Sequence, residues 1–305
     1  MYDLIIIGGG PAGISAGVYA SRKQLKTLFI TADWGGQSIV SPDIQNWIGT
    51  PSIAGGQLAK DLEGHLRAYA DGYVDIKDKT YVTNIETIEG GHKVYFGEES
   101  AEARAVLIAT GSKRRRLDVP GADELEHKGL TYCASCDGPI FAGQDVAVIG
   151  GGNAAFETAA QLLAYTKSVT LLNRKDTYKA DPVTVDKVLA HENMTGVTSA
   201  STVKVNGDKF VSGLTYIDAD GAEQDLAVTG IFMEIGMIPN TDYIGDAVTL
   251  DDYGRVEIDP WTQQTSTPGI WAAGDCTNIK YHQNNISAGD AVRALEDIYV
   301  HLKAK

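Results

Sequence analysis

The sequence predicts an α/β protein with two Rossmann-like dinucleotide-binding domains. Two observations carry this expectation. A glycine-rich turn sits between a short apolar strand and a helix-patterned run, and the whole unit recurs about 140 residues later. A chain of 305 residues is also long enough for about two domains, each with its own core. The first unit runs from Leu4-Ile5-Ile6-Ile7 through Gly8-Gly9-Gly10-Pro11-Ala12-Gly13 and a helical stretch to the strand Thr27-Leu28-Phe29-Ile30. The second runs from Val146-Ala147-Val148-Ile149 through Gly150-Gly151-Gly152-Asn153-Ala154-Ala155 and a helical run to Leu163, then Val169-Thr170-Leu171-Leu172. Glycine is required because the turn is tight and the backbone must come close to a pyrophosphate. The helix that follows supplies unpaired N–H groups and the positive end of its dipole. Two dinucleotides in one chain point to a flavin fed by a nicotinamide.

The remaining elements suit the same class. Tyr81 to Ile85 and Lys93 to Phe96 alternate as antiparallel strands of a meander, and Ala105 to Gly111 reads as a buried strand ending in a turn. Ile286 to Leu302 has helical spacing and is expected to close the fold. Composition narrows the function. With 26 Lys and Arg against 40 Asp and Glu, the net charge is −14, which repels a phosphate backbone and argues against nucleic-acid binding. No apolar run approaches the length of a membrane span, and the start, Met1-Tyr2-Asp3, lacks the pattern of a secretory leader. Three cysteines are no disulfide framework, so a cytoplasmic location is expected, in which any disulfide is a working one.

Two of those cysteines stand together in Cys133-Ala134-Ser135-Cys136-Asp137-Gly138. Two intervening residues allow a small disulfide ring within one turn of chain. A helix starting there would stabilise a thiolate at its N-terminus. A zinc site needs two further ligands, and the six histidines form no matching pair, so no metal is expected. Two idle core cysteines are the alternative, although polar Ser135 and Asp137 with Gly138 do not read as core. Cys276 reads as a packed small residue.

With these motifs in hand, the chain resembles the low-molecular-weight thioredoxin reductases over essentially its whole length. The residues carrying the resemblance are Gly8 to Gly13, Gly35-Gly36-Gln37, Asn46, Ala109-Thr110-Gly111, Cys133 to Gly138, Gly150 to Asn153, and Gly274-Asp275 followed by Gln283. The resemblance implies an FAD domain in two segments, 1–113 and 243–305, with an NAD(P)H domain carrying the dithiol inserted at 114–242. It also implies a homodimer, and a rotation of the inserted domain that presents the dithiol in turn to the flavin and to a protein partner. Gly8, Gly10, Pro11, Ala12 and Gly13 would hold the flavin pyrophosphate. Gly35, Gly36, Gln37, Asn46, Val82, Ala109, Thr110, Gly111, Gly274 and Asp275 would bind the rest, with Gln283 and Asn284 near the flavin ring. Gly150, Gly152, Asn153, Ala154 and Gly236 would serve the nicotinamide cofactor. Cys136 would take electrons, Cys133 would attack the partner's disulfide, and Asp137 would protonate a leaving thiolate.

The donor is where the sequence departs from its relatives. NADPH-dependent members follow the second strand with His-Arg-Arg-x-x-x-Arg, and here the stretch is Asn173-Arg174-Lys175-Asp176-Thr177-Tyr178-Lys179. Arg174, Lys175 and Lys179 keep the charge, but lysine cannot make the two-pronged contact of arginine. No acid stands at position 173 to favour a bare ribose diol, so NADPH is expected ahead of NADH. Cys136-Asp137-Gly138-Pro139, Tyr178-Lys179-Ala180-Asp181 and Gly274-Asp275-Cys276-Thr277 also resemble the flavoprotein component of alkyl hydroperoxide reductase, and His282-Gln283-Asn284 replaces the usual Arg-Gln-Ala. The expected activity is transfer from NADPH or NADH through FAD and the dithiol to thioredoxin or a thioredoxin-like protein. The rival activities are a dithiol oxidase of similar fold and a disulfide reductase fed by ferredoxin or a reduced flavin. The cluster Lys113-Arg114-Arg115-Arg116 falls at the first domain crossing.

Overall fold

A computed structural model describes residues 1–41 and 43–303. Strand β1 (Tyr2–Gly9) opens it, and Leu4 to Ile7 are buried on both faces, as a central parallel strand requires. Helix α1 (Pro11–Arg22) follows with proline in its first turn and small residues on its buried face, among them Ala12, Gly13, Ala16 and Gly17. Those small residues let the helix lie close. A Cβ on Gly17 would come within 2.8 Å of Leu66 Cδ1 on helix α2 (Gly55–Ala70). Strand β2 (Thr27–Trp34) pairs in parallel with β1, Leu4 opposite Thr27 through Ile7 opposite Ile30. It runs four residues past the expected Ile30, where Trp34 pairs with Gly9 of β1 and stacks on Phe29, ring centres 5.6 Å apart.

Strand β3 (Val74–Lys77) extends the sheet in parallel beyond β2. Then β4 (Val82–Ile88), β5 (Gly91–Phe96) and β6 (Glu99–Ile108) form the antiparallel meander. The first half of β6 pairs with β5, while its apolar second half, Ala105 to Ile108, lies parallel to β1. Strand β7 (Ser112–Arg114) carries the chain out of this unit.

The second unit contains β8 (Leu130–Thr131), α3 (Ala134–Asp137), β9 (Asp145–Ile149), α4 (Asn153–Leu162), β10 (Ser168–Leu172), α5 (Pro182–Leu189) and β11 (Met194–Val197). A ribbon of β12 (Ser201–Gly207), β13 (Val211–Ile217) and β14 (Glu223–Leu226) follows, and β15 (Gly230–Met233) returns to the sheet. Five parallel strands stand in the order β11-β10-β9-β15-β8. Phe156, Leu162, Leu171 and Phe232 pack one face, and Leu172, Leu214 and Ile231 the other.

Strand β16 (Met237–Pro239) leads back, β17 (Ile270–Ala272) pairs in parallel with β6, and α6 (Asn284–Lys303) packs Ala291, Ala294, Leu295 and Ile298 into the core with α1. The chain thus divides into Met1–Lys113 with Ile238–Lys305, and Arg114–Met237. The return crossing lies at 237/238 rather than at 242/243. The reason is local: Asn240 N–H donates to Gly111 O at 3.0 Å and Thr110 Oγ1 donates to Asn240 O at 2.8 Å, so residue 240 already belongs to the first unit. Residues 304 and 305 of the expected last segment lie outside the described residues.

A buried acid closes the second sheet. Glu234 follows β15, its N–H donates to Ile149 O at 2.8 Å, and its carboxylate accepts from Thr158 Oγ1 at 2.7 Å. Burial pushes its pKa up to about 7, against the opposing pull of the Thr158 bond and the Arg114 charge. A carboxyl raised in the folded state stabilises fully below its unfolded value near 4.5, and that contribution is lost as pH rises towards 7. Glu234→Gln is therefore expected to flatten the loss of stability over this window and to exceed wild type by roughly 2 kcal/mol at pH 8. Urea melts at pH 5 and pH 8 measure it, and an unchanged pH dependence would assign the effect to another group.

Candidate active site

In the first unit a cavity of about 730 Å³ opens above the first glycine turn. Gly8 has φ +125°, and a Cβ there would lie 2.2 Å from Ala109 O, so strand β1 and the segment after β6 touch backbone to backbone. Gly10 is different. The nearest atom to a Cβ on it is Gly36 Cα at 3.9 Å, which leaves the turn open on its cavity side, next to Pro11 and Ala12. An open glycine at a helix N-terminus fits a dinucleotide diphosphate, because N–H donors can be approached there without a side chain in the way. Ala109, Thr110 and Gly111 form one wall and Gly36 and Gln37 another, with Val82, Gly274 and Asn284 also lining the space.

Asp275 enters from the loop after β17 with both carboxylate oxygens held. Ser287 Oγ donates to Oδ1 at 3.1 Å and Gln37 Nε2 donates to Oδ2 at 3.3 Å. Five of the expected residues seat helices behind the cavity wall or are hydrogen-bonded to other side chains. A Cβ on Gly13 would lie 1.8 Å from Gly8 O, so this glycine seats α1 on β1. Gly35, at φ +88°, has Ala59 Cβ 2.4 Å from where its own Cβ would be, so it seats α2. Asn46 Nδ2 donates to Gln283 Oε1 at 3.2 Å, and these two side chains hold each other. Asn284 lines the cavity while accepting from Ser38 Oγ at 3.0 Å.

The cavity also contains residues that the sequence reading missed, chiefly Asp33 and Trp34 at the end of β2, and Asn240 and Tyr243. Asp33 had a signal: an acid about twenty residues beyond the glycine turn is the usual ribose partner of this fold. Tyr243 had none, since only the return of the chain brings its hydroxyl to 3.4 Å from Thr110 Oγ1. Cys276 is wholly buried, its sulfur 3.5 Å from Ala273 O and 3.7 Å from Ile108 O, and burial pushes its thiol up to about 11. It is a protonated, packed thiol.

The second glycine turn repeats the pattern. Gly150, at φ +149°, would place a Cβ 2.3 Å from Glu234 O, whereas Gly152 and Gly236 have open space where a Cβ would be. Asn153 has a structural task in the turn. Its Oδ1 accepts from Asp181 N–H at 2.8 Å and so ties the turn to the start of α5, beside exposed Ala154. Asn173 is buried, with Nδ2 donating to Lys175 O at 3.0 Å and Thr177 O at 2.8 Å. Asparagine there builds the loop. Lys179 N–H donates to Gly151 O at 2.7 Å, which draws the loop back over the turn. Arg174, Lys175 and Lys179 are left exposed, and none of the three makes an ion pair among the described residues.

The cysteines sit in the same unit. Cys133 and Cys136 form a disulfide with Cα atoms 5.3 Å apart, and both are half-buried. Cys133 caps the single turn α3, its Sγ accepting from Cys136 N–H at 3.2 Å and its carbonyl from Asp137 N–H at 3.0 Å. Ser135 Oγ donates to Gln161 Oε1 at 3.1 Å, which docks this turn on α4. Gly138 is required because a Cβ would meet Tyr165 Oη at 2.1 Å. Tyr132 donates to Glu126 Oε1 at 2.9 Å, and burial pushes its phenol up to about 12, so it acts as a donor and not as a base. Asp137 accepts from the hydroxyl of Thr131.

Comparison with known proteins gives this arrangement a family. The chain is 36% identical over 294 residues to NADH dehydrogenase of Bacillus subtilis (strain 168), covering 96% of this chain and 57% of the relative. It is 39% identical over 299 residues to a subunit of the alkyl hydroperoxide reductase of Escherichia coli (strain K12), covering 96% and 57%. The chain therefore spans little more than half the length of these curated relatives. Among solved structures, thioredoxin reductase from Streptococcus pyogenes MGAS5005 superposes with a TM-score of 0.90 at 33% identity, covering 100% of this chain and 99% of that one. Thioredoxin reductase from Giardia duodenalis gives 0.93 at 30% identity, with coverage of 100% and 99%. No helix among the described residues is long and apolar enough to cross a membrane. The family described as pyridine nucleotide-disulphide oxidoreductase matches residues 2–289, a span that includes both glycine turns and the disulfide, and the chain belongs to that family.

Proposed function

We propose that the protein is an FAD-dependent disulfide reductase of the thioredoxin reductase type, driven by NADPH or NADH and acting on thioredoxin or a thioredoxin-like protein. The observation that carries this reading is the half-buried Cys133–Cys136 disulfide, set just ahead of the second glycine turn in a chain whose other unit holds an open dinucleotide cavity. When bound, FAD supplies the two-electron chemistry that links a nicotinamide hydride to a disulfide. The N–H groups of α1 and the open Gly10 hold its diphosphate, Asp33 serves the ribose of the adenosine half, and Asp275, pinned by Ser287 and Gln37, serves the ribityl side. In the second unit Gly150 to Gly152 take the nicotinamide cofactor's diphosphate. A homodimer and a cytoplasmic location belong to the same reading.

At the dithiol, Cys136 is the sulfur that receives electrons and Cys133 the one that attacks the partner's disulfide. Asp137 gives a proton to the departing sulfur, which a thiolate-forming exchange requires. Three unpaired cations on the loop after β10 favour a 2′-phosphate, so NADPH is the proposed donor. A second reading, NADH as donor, is favoured by the relative named NADH dehydrogenase and by lysines at 175 and 179, where arginine would grip a phosphate better.

The test is anaerobic mixing of the purified yellow protein with NADPH or NADH, followed by oxidised thioredoxin. Bleaching by the nucleotide and recovery on adding thioredoxin are expected. A protein that neither nucleotide bleaches would promote the ferredoxin- or flavin-fed rival. Cys136→Ser and Cys133→Ser should each keep the flavin and its bleaching but lose thioredoxin turnover by at least a hundredfold, roughly the loss of a nucleophile. Cys133→Ser should also trap no mixed disulfide on gel electrophoresis. Cys276→Ser should stay within about twofold of wild type, as a packed thiol would. Near-normal turnover in either dithiol variant would remove the mechanism.

Arg174→Ala tests the donor. Losing one charge-assisted contact of about 1.5–3 kcal/mol should raise the KM for NADPH about tenfold to a hundredfold. The KM for NADH should change far less and kcat should hold, since uniform binding is what is removed. Equal changes for both nucleotides would show that this loop does not read the 2′-position.

A further inference from the structure

We infer that Thr131 is a positioning residue for thiol–disulfide exchange, holding the Asp137 carboxyl beside the dithiol. This role rests on the disulfide-reductase reading above. Thr131 ends β8, where it stands opposite Phe232 in the parallel pairing with β15. Only 4% of its surface is exposed, so its backbone and side chain are both fixed by the sheet. Its hydroxyl donates to Asp137 Oδ2, six residues further on. Between the two lies the whole redox turn. The chain leaves the sheet at Thr131, forms Cys133 to Cys136, and is tied back to its point of departure through Asp137. Oδ1 has no hydrogen-bond partner among the described residues, so one oxygen is anchored and the other remains for proton transfer.

A buried hydroxyl is a costly group to place at a strand end unless it is paired, and here its partner is the acid of the exchange. Asp137 itself lies on a single helical turn, and no other side chain holds its carboxyl among the described residues. Without Thr131 no side chain among the described residues would fix the orientation of this carboxylate. In the reaction, the Cys133 thiolate bonds to the near sulfur of the partner as the partner's S–S bond breaks, and the departing sulfur takes the proton from Asp137. Asp137 then takes the proton of the Cys136 thiol. The resulting Cys136 thiolate attacks the Cys133 sulfur, the Cys133–Cys136 disulfide closes, and the second partner sulfur leaves and takes that proton. Two electrons and two protons pass to the partner, and both proton transfers use one carboxyl in one place.

The test isolates this exchange from the nicotinamide half. Holoprotein is reduced with dithiothreitol, desalted anaerobically and mixed with oxidised thioredoxin, and reduced thioredoxin is trapped with iodoacetamide over a single turnover. Thr131→Val should slow the exchange by about tenfold to a hundredfold, the worth of a hydrogen bond to a charged group. Thr131→Ser, which keeps the hydroxyl, should return it to within threefold of wild type. In an Asp137→Asn background, Thr131→Val should cost less than twofold more, because the two residues act as one unit. Bleaching by nicotinamide should be unchanged in Thr131→Val and Thr131→Ser. If Thr131→Val melts well below wild type, Thr131→Ala serves the same comparison. Exchange by Thr131→Val within twofold of wild type, failure of serine to rescue, or full additivity with Asp137→Asn would each overturn the proposal while leaving the disulfide-reductase reading intact. A wild type that reduces neither thioredoxin nor a small aromatic disulfide overturns both.

Discussion

Two glycine turns packed too closely for a side chain govern this structure. At the first turn, Gly13 lies against the carbonyl of Gly8, and Gly8 against that of Ala109. At the second, Gly150 lies against the carbonyl of Glu234 and close to Ala155. Each contact brings a helix start, a strand end and a neighbouring strand end into one small volume. The open glycines, Gly10 and Gly152, then face outward with their N–H groups clear. The same close approach that seats each helix also aims its N–H donors at a common point.

The sheets and helices were legible because they are dense in apolar residues at regular spacing. Leu4 to Ile7, Val146 to Ile149 and the helix after Ile286 are recovered within a few residues of their expected ends. What escaped was set by contacts distant in sequence. Tyr243 and Asn240 reach the first cavity only because the chain returns at 237/238, and no local pattern marks that return. Asn173 is a loop-builder, which depends on two carbonyls that no composition rule locates. Asp33 was available from spacing alone. The dithiol was fully legible as a motif, but Thr131 was not, because a threonine ending a two-residue strand carries no signature of its own.

Charge is distributed to match. The chain is acidic overall, yet the loop after β10 presents three cations and no acid in pairing distance among the described residues. In a field that repels anions generally, such a local reversal lowers the repulsion an anion meets at this loop. The buried acids behave differently. Glu234 is held near neutrality by desolvation, so the second sheet carries a proton-sensitive group within reach of the helix that follows its glycine turn.

The return of the chain has a consequence for how such a molecule can be taken apart. Gly111 O and Asn240 N–H are joined at 3.0 Å, and Thr110 and Asn240 exchange two further hydrogen bonds through their side chains. The cut ends of the first unit therefore already meet. A splice of one or two residues between Gly111 and Asn240 would restore an unbroken chain and release the inserted segment as a cassette. Genetic insertions persist most readily where the host's two ends stay neighbours, since the host then loses little on accepting a guest. The first unit keeps that geometry.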